Sequence, residues 1–197
     1  MQLAPYLIYK AAPAPEGKPC GRKGTVTYEI EHDVPDKWGN KFPPKDKCVI
    51  TVARTANSSG LLTLDILDRV FLPYLGIVDG KADYTSTILV DDFRGHSDKR
   101  VKARTEPMSD VLNWEIMAGG ITPKAQPLDV LINNVFKGYF RDLFEAWSLC
   151  APINEKNGNP LPPSRQLLAN WVVLAWDQIS SALVVIVNDW EVCGYKT

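Results

Sequence analysis

The sequence predicts an α/β domain in which short strands alternate with helices. Short apolar segments, each bounded by turn residues, are typical of buried strands. Two long segments, beginning near Leu128 and Ser164, repeat apolar residues at helical spacing. The chain has 197 residues, of which 45% are hydrophobic, so it can bury the core of a domain of ordinary size.

The N-terminal third predicts strands separated by loops. Leu3 to Lys10 is rich in apolar and aromatic residues, which favour strands. Thr25 to Ile30 and Cys48 to Arg54 have the same character, and Asn57 to Gly60 has turn composition. Between these segments the proline- and glycine-rich sequence indicates loops.

The middle of the chain predicts two further strands and two helices. Thr63 to Leu75 is expected to be helical, because apolar residues recur there at helical spacing: Leu61, Leu64, Leu67, Val70, Phe71 and Tyr74. Ser86 to Val90 and Trp114 to Met117 are expected to be strands. Between them, Ser97 or Asp98 can cap a short basic helix.

The C-terminal third predicts two long helices. The first carries an apolar stripe whose aromatic members are expected in the core: Phe136, Tyr139, Phe140 and Trp147. The second is predicted to begin after an N-cap at Ser164. Leu183 to Val187 favours a strand by composition and a helical turn by position, and both interpretations stay open.

The charges and cysteines exclude several classes of protein. Lys and Arg total 22 against 23 Asp and Glu, a net charge of -1, so no global field attracts nucleic acid or an anionic membrane. We see no membrane span and no signal peptide, and expect an intracellular protein without a membrane partner. The cysteines lie far apart without a C-x-x-C pair, which indicates structural thiols rather than a zinc site or disulfides: Cys20, Cys48, Cys150 and Cys193.

Acidic residues at the end of a strand are the strongest functional signal. The segment from Ile88 to His96 reads I-L-V-D-D-F-R-G-H, so Asp91 and Asp92 follow a buried strand at the sheet edge where α/β domains build their sites. Asp129 is predicted in the first turn of a helix, with its side chain near the sheet. Carboxylates that meet there need a cation such as Mg²⁺ or Mn²⁺ between them. Turn capping by Asp91 and Asp92, and a dipole partner role for Asp129, are the simpler interpretations.

Several sequence blocks together resemble a known family. From Val90 the chain reads V-D-D-F-R-G-H, and from Ala118 it reads A-G-G-I-T-P-K-A-Q-P-L-D-V-L-I-N-N-V-F-K-G-Y-F-R. Both blocks, with W-V-V-L-A-W-D and W-E-V-C-G-Y further on, are similar to the DDE superfamily endonuclease domain of pogo, Tigger and jerky transposases and centromere protein B. The 37 residues between Asp91 and Asp129 (129 - 91 - 1) suit the second and third acids of that family.

This resemblance implies an RNase H-like fold, a mixed sheet flanked by helices, whose three acids bind Mg²⁺ or Mn²⁺ and cut DNA. Asp91 would be the acid that bridges the metals, and Asp129 the acid on the later helix. Residues 1–150 would form the catalytic core, and residues 151–197 a helical extension packed on it. Nuclear localisation and DNA as partner follow from the same resemblance.

The front of the chain departs from the family pattern. The family's first acid lies on a central strand that precedes the segment resembling Leu3 to Lys10, and no residue in this sequence occupies that position. We therefore expect the sheet to lack its first central strand and the chain alone to be inactive. A sheet without that strand would expose unpaired backbone groups and favour self-association.

Other polar residues have both a site and a structural interpretation. His96 would line the site or be an ordinary turn residue, two equally simple interpretations. Asp92 is a further candidate for lining the site, but a structural role is the better interpretation for it. The basic residues after them would contact phosphates or form a solvated helix face: Lys99, Arg100, Lys102 and Arg104. A metal cluster is suggested by the residue types of Glu31, His32 and Asp33 but is not expected, because neighbouring residues on a strand point to opposite faces.

Two functional hypotheses remain after this reading. The chain is either part of a metal-dependent DNA endonuclease or a domesticated, non-catalytic module that associates with nucleic acid or protein. An ATPase with I-L-V-D-D as its Walker B strand lacks any G-x-x-x-x-G-K.

Overall fold

A computed structural model of the protein describes residues 4–10, 25–53, 59–120 and 122–195. Its strands are β1 (Tyr6–Lys10), β2 (Val49–Ala53), β3 (Ser86–Val90) and β4 (Leu112–Ile116). Its α-helices are α1 (Val26–Glu31), α2 (Gly60–Ile66), α3 (Leu72–Tyr74), α4 (Lys99–Thr105), α5 (Thr122–Ala125), α6 (Asn133–Ser148), α7 (Arg165–Ser181) and α8 (Leu183–Val192). This content confirms the α/β class. Leu3, Cys20, Arg54 and Asn57, which figured in the sequence predictions, lie outside the described residues.

The chain divides into two compact units. The first comprises Met1–Tyr6, Asn57–Ile132 and Val184–Thr197, and the second comprises Leu7–Ala56 and Asn133–Leu183. Both units are discontinuous in sequence. The predicted domain boundary at residue 150 stays a prediction.

The strands form two small sheets. β1 pairs with β2, and β3 pairs with β4. β3 and β4 run parallel, with Ser86 opposite Leu112 and Val90 opposite Ile116. Within the described ranges, the second edge of β3 pairs with no strand. The RNase H-like mixed sheet that the resemblance implies is therefore a proposal, whereas the mixed α/β content is observed.

The core of the first unit forms where a helix packs on the β3–β4 sheet. The Ser59 hydroxyl accepts the Leu62 N–H and begins the helix at Gly60, three residues before the predicted start. The helix continues through a π-helical turn at Leu67–Phe71 into α3. Its buried residues join others in one cluster: Leu67, Leu72, Ile77, Met108 and Leu112.

The core of the second unit lies between α6 and α7. Ser164 caps α7 as predicted, because its hydroxyl accepts the Leu167 N–H at 3.1 Å. Trp171 on α7 is 5% exposed and packs on Phe140 and Trp147 of α6. The aromatic residues of α6 that were expected in the core do line it, but they are half-buried, and no residue of α6 is fully buried. Aromatic rings are too wide for one helix to cover, and they keep an exposed edge.

The predicted strand at Thr25 to Ile30 is wrong, because this segment is helix α1. The Thr25 hydroxyl accepts the Tyr28 N–H at 3.3 Å and caps the helix. The rings of Tyr28 and His32, four residues apart, stack at 4.0 Å. These local contacts outweigh the strand propensity of the segment.

The segment for which composition predicted a strand and position predicted a helical turn is helical. Leu183 to Val187 begins α8, which ends before Gly194. Gly194 has φ of +86°, a backbone conformation that favours glycine and stops helices. Among the described residues, no single helix is long and apolar enough to span a membrane, and only the bent pair α7 and α8 passes that test together.

Candidate functional site

The carboxyl end of β3 places an acid at the edge of the parallel sheet. Val90 ends the strand with 8% of its surface exposed, and the pairing continues one step further because the Met117 N–H donates to the Val90 carbonyl at 2.8 Å. Asp91 follows directly, with 40% of its side chain exposed. The strand therefore delivers this carboxylate to the edge where parallel sheets hold their functional groups.

His96 holds the Asp91 carboxylate in place. Its Nδ1 lies 2.7 Å from Oδ1 of Asp91 and 3.1 Å from the carbonyl oxygen of the same residue. Both neighbours are acceptors, so we infer that Nδ1 carries a proton and donates it to them. This contact occupies one carboxylate oxygen and leaves Oδ2 for another ligand.

Two aromatic rings fix the imidazole of His96. The Phe93 ring lies 5.5 Å from it and the Trp114 ring 6.3 Å, both edge to face. Trp114 Nε1 also donates to the His96 carbonyl at 3.3 Å. From the sequence, Trp114 was predicted only as part of a strand. Its position on the strand that pairs with β3 is the signal that could have placed it beside the site.

Asp92 follows Asp91 and is exposed. A Cβ atom on Gly119 would lie 3.3 Å from Oδ2 of Asp92, so the segment after β4 passes close to this carboxylate. The loops that follow β3 and β4 thus meet at one edge of the sheet. Whether Asp92 lines a catalytic site stays a prediction.

Asp129 lies in a π-helical turn, Leu128–Ile132, rather than in a regular α-helix. Its side chain is exposed, whereas the α-helical spacing predicted a position out of open solvent; that Asp129 lies near the sheet stays a prediction. A π-helical turn bonds i to i+5 and rotates each side chain away from its α-helical position. Ile132, which is 7% exposed, takes the buried position in this turn instead.

The basic residues of α4 are mostly paired with acids. Arg100 contacts Asp98 at 2.7 Å, Arg104 contacts Asp68 at 3.0 Å, and Lys102 lies 3.6 Å from Glu106. The hydrogen bonds from Arg100 hold the pKa of Asp98 well below its usual range. In the described part of the chain, Lys99 has no such carboxylate partner, so it is the member of this set that is most available to a phosphate.

The donor atoms suit a hard divalent cation, but the described residues do not complete a ligand set. Asp91 and Asp129 supply carboxylate oxygens, the ligands that Mg²⁺ and Mn²⁺ prefer. Across residues 4–10, 25–53, 59–120 and 122–195, no three His, Cys, Asp or Glu side chains group closely enough to hold a metal. The three consecutive residues Glu31, His32 and Asp33 also do not form such a metal-binding group. The Asp33 carboxylate instead pairs with Lys41 at 2.9 Å.

Comparisons with known proteins agree with the sequence blocks around these acids. The human and mouse proteins named "Pogo transposable element with KRAB domain" are 31% and 29% identical to the chain over 99 residues. That match covers 50% of the chain and 16% of each relative, so the chain spans about a sixth of their length. No solved structure matches the chain significantly. A match to the DDE superfamily endonuclease family covers residues 1–190, and the chain therefore belongs to that family.

Proposed function

We propose that this chain forms part of a metal-dependent site for DNA strand cleavage, in which Asp91 and Asp129 are two of the carboxylate ligands. The observation that carries the proposal is Asp91, which follows a parallel strand and is held by His96 with one oxygen left for a ligand. Membership of the DDE superfamily endonuclease family supports the reaction class. The two relatives are named as transposable elements, which supports DNA as the partner. We propose the nucleus as the location, since its DNA would be found there.

Each residue near β3 has a distinct task in this proposal. Mg²⁺ or Mn²⁺, when bound, would activate water and stabilise the leaving oxygen in phosphodiester cleavage. Asp91 would hold the cation with the carboxylate oxygen that His96 leaves free, and His96 keeps that carboxylate in one orientation. Lys99 offers its charge to a phosphate without first breaking an ion pair.

A further carboxylate has to come from outside the described groups. We propose that it arrives on a strand that pairs with the second edge of β3, to which no described strand bonds. β3 reads S-T-I-L-V, an apolar edge of the kind that accepts another strand. The same free edge would promote self-association of the chain on its own.

The 197-residue chain is therefore expected to leave supercoiled plasmid DNA uncut in Mg²⁺ or Mn²⁺. The described residues contain no group of three ligands that could hold a metal, so the two proposed ligands do not suffice for a catalytic metal pair. Gel electrophoresis of the plasmid measures this, with the Asp91→Asn variant as the matched control. Robust nicking that Asp91→Asn abolishes would show that the chain is already a complete enzyme.

His96 is expected to govern how tightly the Asp91 carboxylate binds a cation. Titration with Tb³⁺, whose luminescence the nearby Trp114 can sensitise, should show about tenfold weaker binding in His96→Ala, as for other residues that orient a metal ligand. His96→Asn should restore most of the affinity, because its amide nitrogen can donate from near the position of Nδ1.

The other histidine provides the control for this titration. His32 lies in the second unit, so the His32→Ala variant should bind Tb³⁺ as tightly as the parent chain. Equal affinity in His96→Ala and the parent would mean that the histidine has no part in positioning Asp91.

A domesticated, non-catalytic module is the second candidate function. The exposed position of Asp129 and the paired state of most α4 cations favour it. DNA binding that does not depend on a metal would support the non-catalytic module. Metal-dependent cleavage, once a strand that carries a third carboxylate has been added to the chain, would support the endonuclease.

A further inference from the structure

Asp189 is a charged residue in the interior of the first unit. It lies on α8 and is 0% exposed. Its Oδ2 accepts the backbone N–H of Ile132 at 3.0 Å. Its Oδ1 has no hydrogen-bond partner among the described residues.

Burying a carboxylate in this way is costly. A buried charge needs several donors to replace its water shell, and an apolar side chain of similar size is often at least as stabilising. Core stability alone therefore does not account for an aspartate at this position. The hydrogen bond that Asp189 accepts from another element indicates the role of this residue.

That donor belongs to the turn that carries Asp129. Ile132 is the last residue of the π-helical turn Leu128–Ile132, and Asp129 is its second residue. Turns of this kind interrupt the regular helical bonding and occur often at functional sites. A charged acceptor at the Ile132 N–H holds this turn more firmly than a neutral one would.

The short segment that follows α8 contacts the residue that follows β4. The Tyr195 hydroxyl lies 3.9 Å from the sulfur of Met117, and the Met117 N–H donates to the Val90 carbonyl, one residue before Asp91. The helix thus contacts the turn that carries Asp129, and the segment directly after the helix contacts Met117, which bonds to the strand end before Asp91. Each of these residues belongs to the first unit.

We infer that Asp189 is a positioning residue, which fixes the Asp129 turn through the Ile132 N–H, and that α8 with the segment directly after it connects this turn to the carboxyl end of the sheet. The metal-binding part of this inference rests on the proposed function of Asp129. The hydrogen bond to Ile132 does not depend on that function and is tested separately.

The test compares three variants of the 197-residue chain. Asp189→Leu removes the acceptor, Asp189→Asn keeps a carbonyl acceptor without the charge, and Glu191→Gln changes an exposed acid on the same helix. The first measurement is amide hydrogen exchange at Ile132, with Leu67 in the core as the internal reference. The second is Tb³⁺ affinity.

In Asp189→Leu we expect amide exchange at Ile132 to accelerate at least about tenfold more than at Leu67. We also expect Tb³⁺ binding to weaken about tenfold, the usual loss when a residue that orients a metal ligand is removed. Asp189→Asn should keep most of the protection and affinity, and Glu191→Gln should match the parent.

Two results would overturn the inference: unchanged Ile132 exchange in Asp189→Leu, or a loss in Asp189→Asn as large as in Asp189→Leu. If Asp189→Leu does not fold, preserved Ile132 protection in Asp189→Asn supports the inference and lost protection refutes it. A parent chain that does not bind Tb³⁺ contradicts the proposed function, while the exchange measurement still decides the role of Asp189.

Discussion

Replacing Trp171 with alanine should lower the free energy of unfolding by about 3–5 kcal/mol, the usual cost of removing a large buried aromatic side chain. Trp171 is 5% exposed. Its ring lies 6.0 Å from those of Phe140 and Trp147 and 6.4 Å from that of Phe144, so the change removes contacts with three residues of α6. Urea denaturation followed by far-ultraviolet circular dichroism measures the loss.

Leu174→Ala is the matched control for this substitution, because Leu174 lies on the same helix and is 51% exposed. It should change the free energy of unfolding by no more than about 0.5 kcal/mol. If Trp171→Ala cost as little as Leu174→Ala, the aromatic contacts between α6 and α7 would not stabilise the second unit.

Replacing Leu67 with alanine should cost about 2–5 kcal/mol, since it removes a fully buried side chain from the core of the first unit. Leu67 is 0% exposed, and Ile88 and Trp114 pack against its cluster. The cavity would loosen both β3 and the tryptophan that contacts His96. We therefore expect the Tb³⁺ affinity to fall together with stability.

Leu61→Ala tests whether burial causes this effect. Leu61 lies on the same helix but is 61% exposed, so its replacement should change stability by about 0.5 kcal/mol or less. Equal urea midpoints for Leu67→Ala and the parent would contradict the assignment of Leu67 to the core.

Local signals predicted most of the elements. Ser86 to Val90 was predicted as a strand with the bounds that the structure gives, because the segment is apolar and turn residues bound it. Ser164 and Asp98 cap their helices as expected, since a side-chain acceptor before an apolar segment acts within three residues.

The errors occurred where local signals conflict or where distant residues decide. Thr25 to Ile30 has strand composition, yet its cap and the stacked rings of Tyr28 and His32 make it helical. Asp129 was expected out of open solvent from α-helical spacing, and the π-helical turn exposes it instead. Neither the ring stacking nor the π-helical turn can be recognised from the spacing of apolar residues.

The sequence by itself determined the α/β class, the Asp91 strand end and the blocks that mark membership of the DDE superfamily endonuclease family. Only the tertiary structure decided which side chains hold that strand end and the Asp129 turn. His96 reaches Asp91 by closing a short loop, whereas Asp189 reaches Ile132 from 57 residues further along the chain. Composition and periodicity report on neighbours within a few residues, so a contact of that separation appears only when the chain has folded.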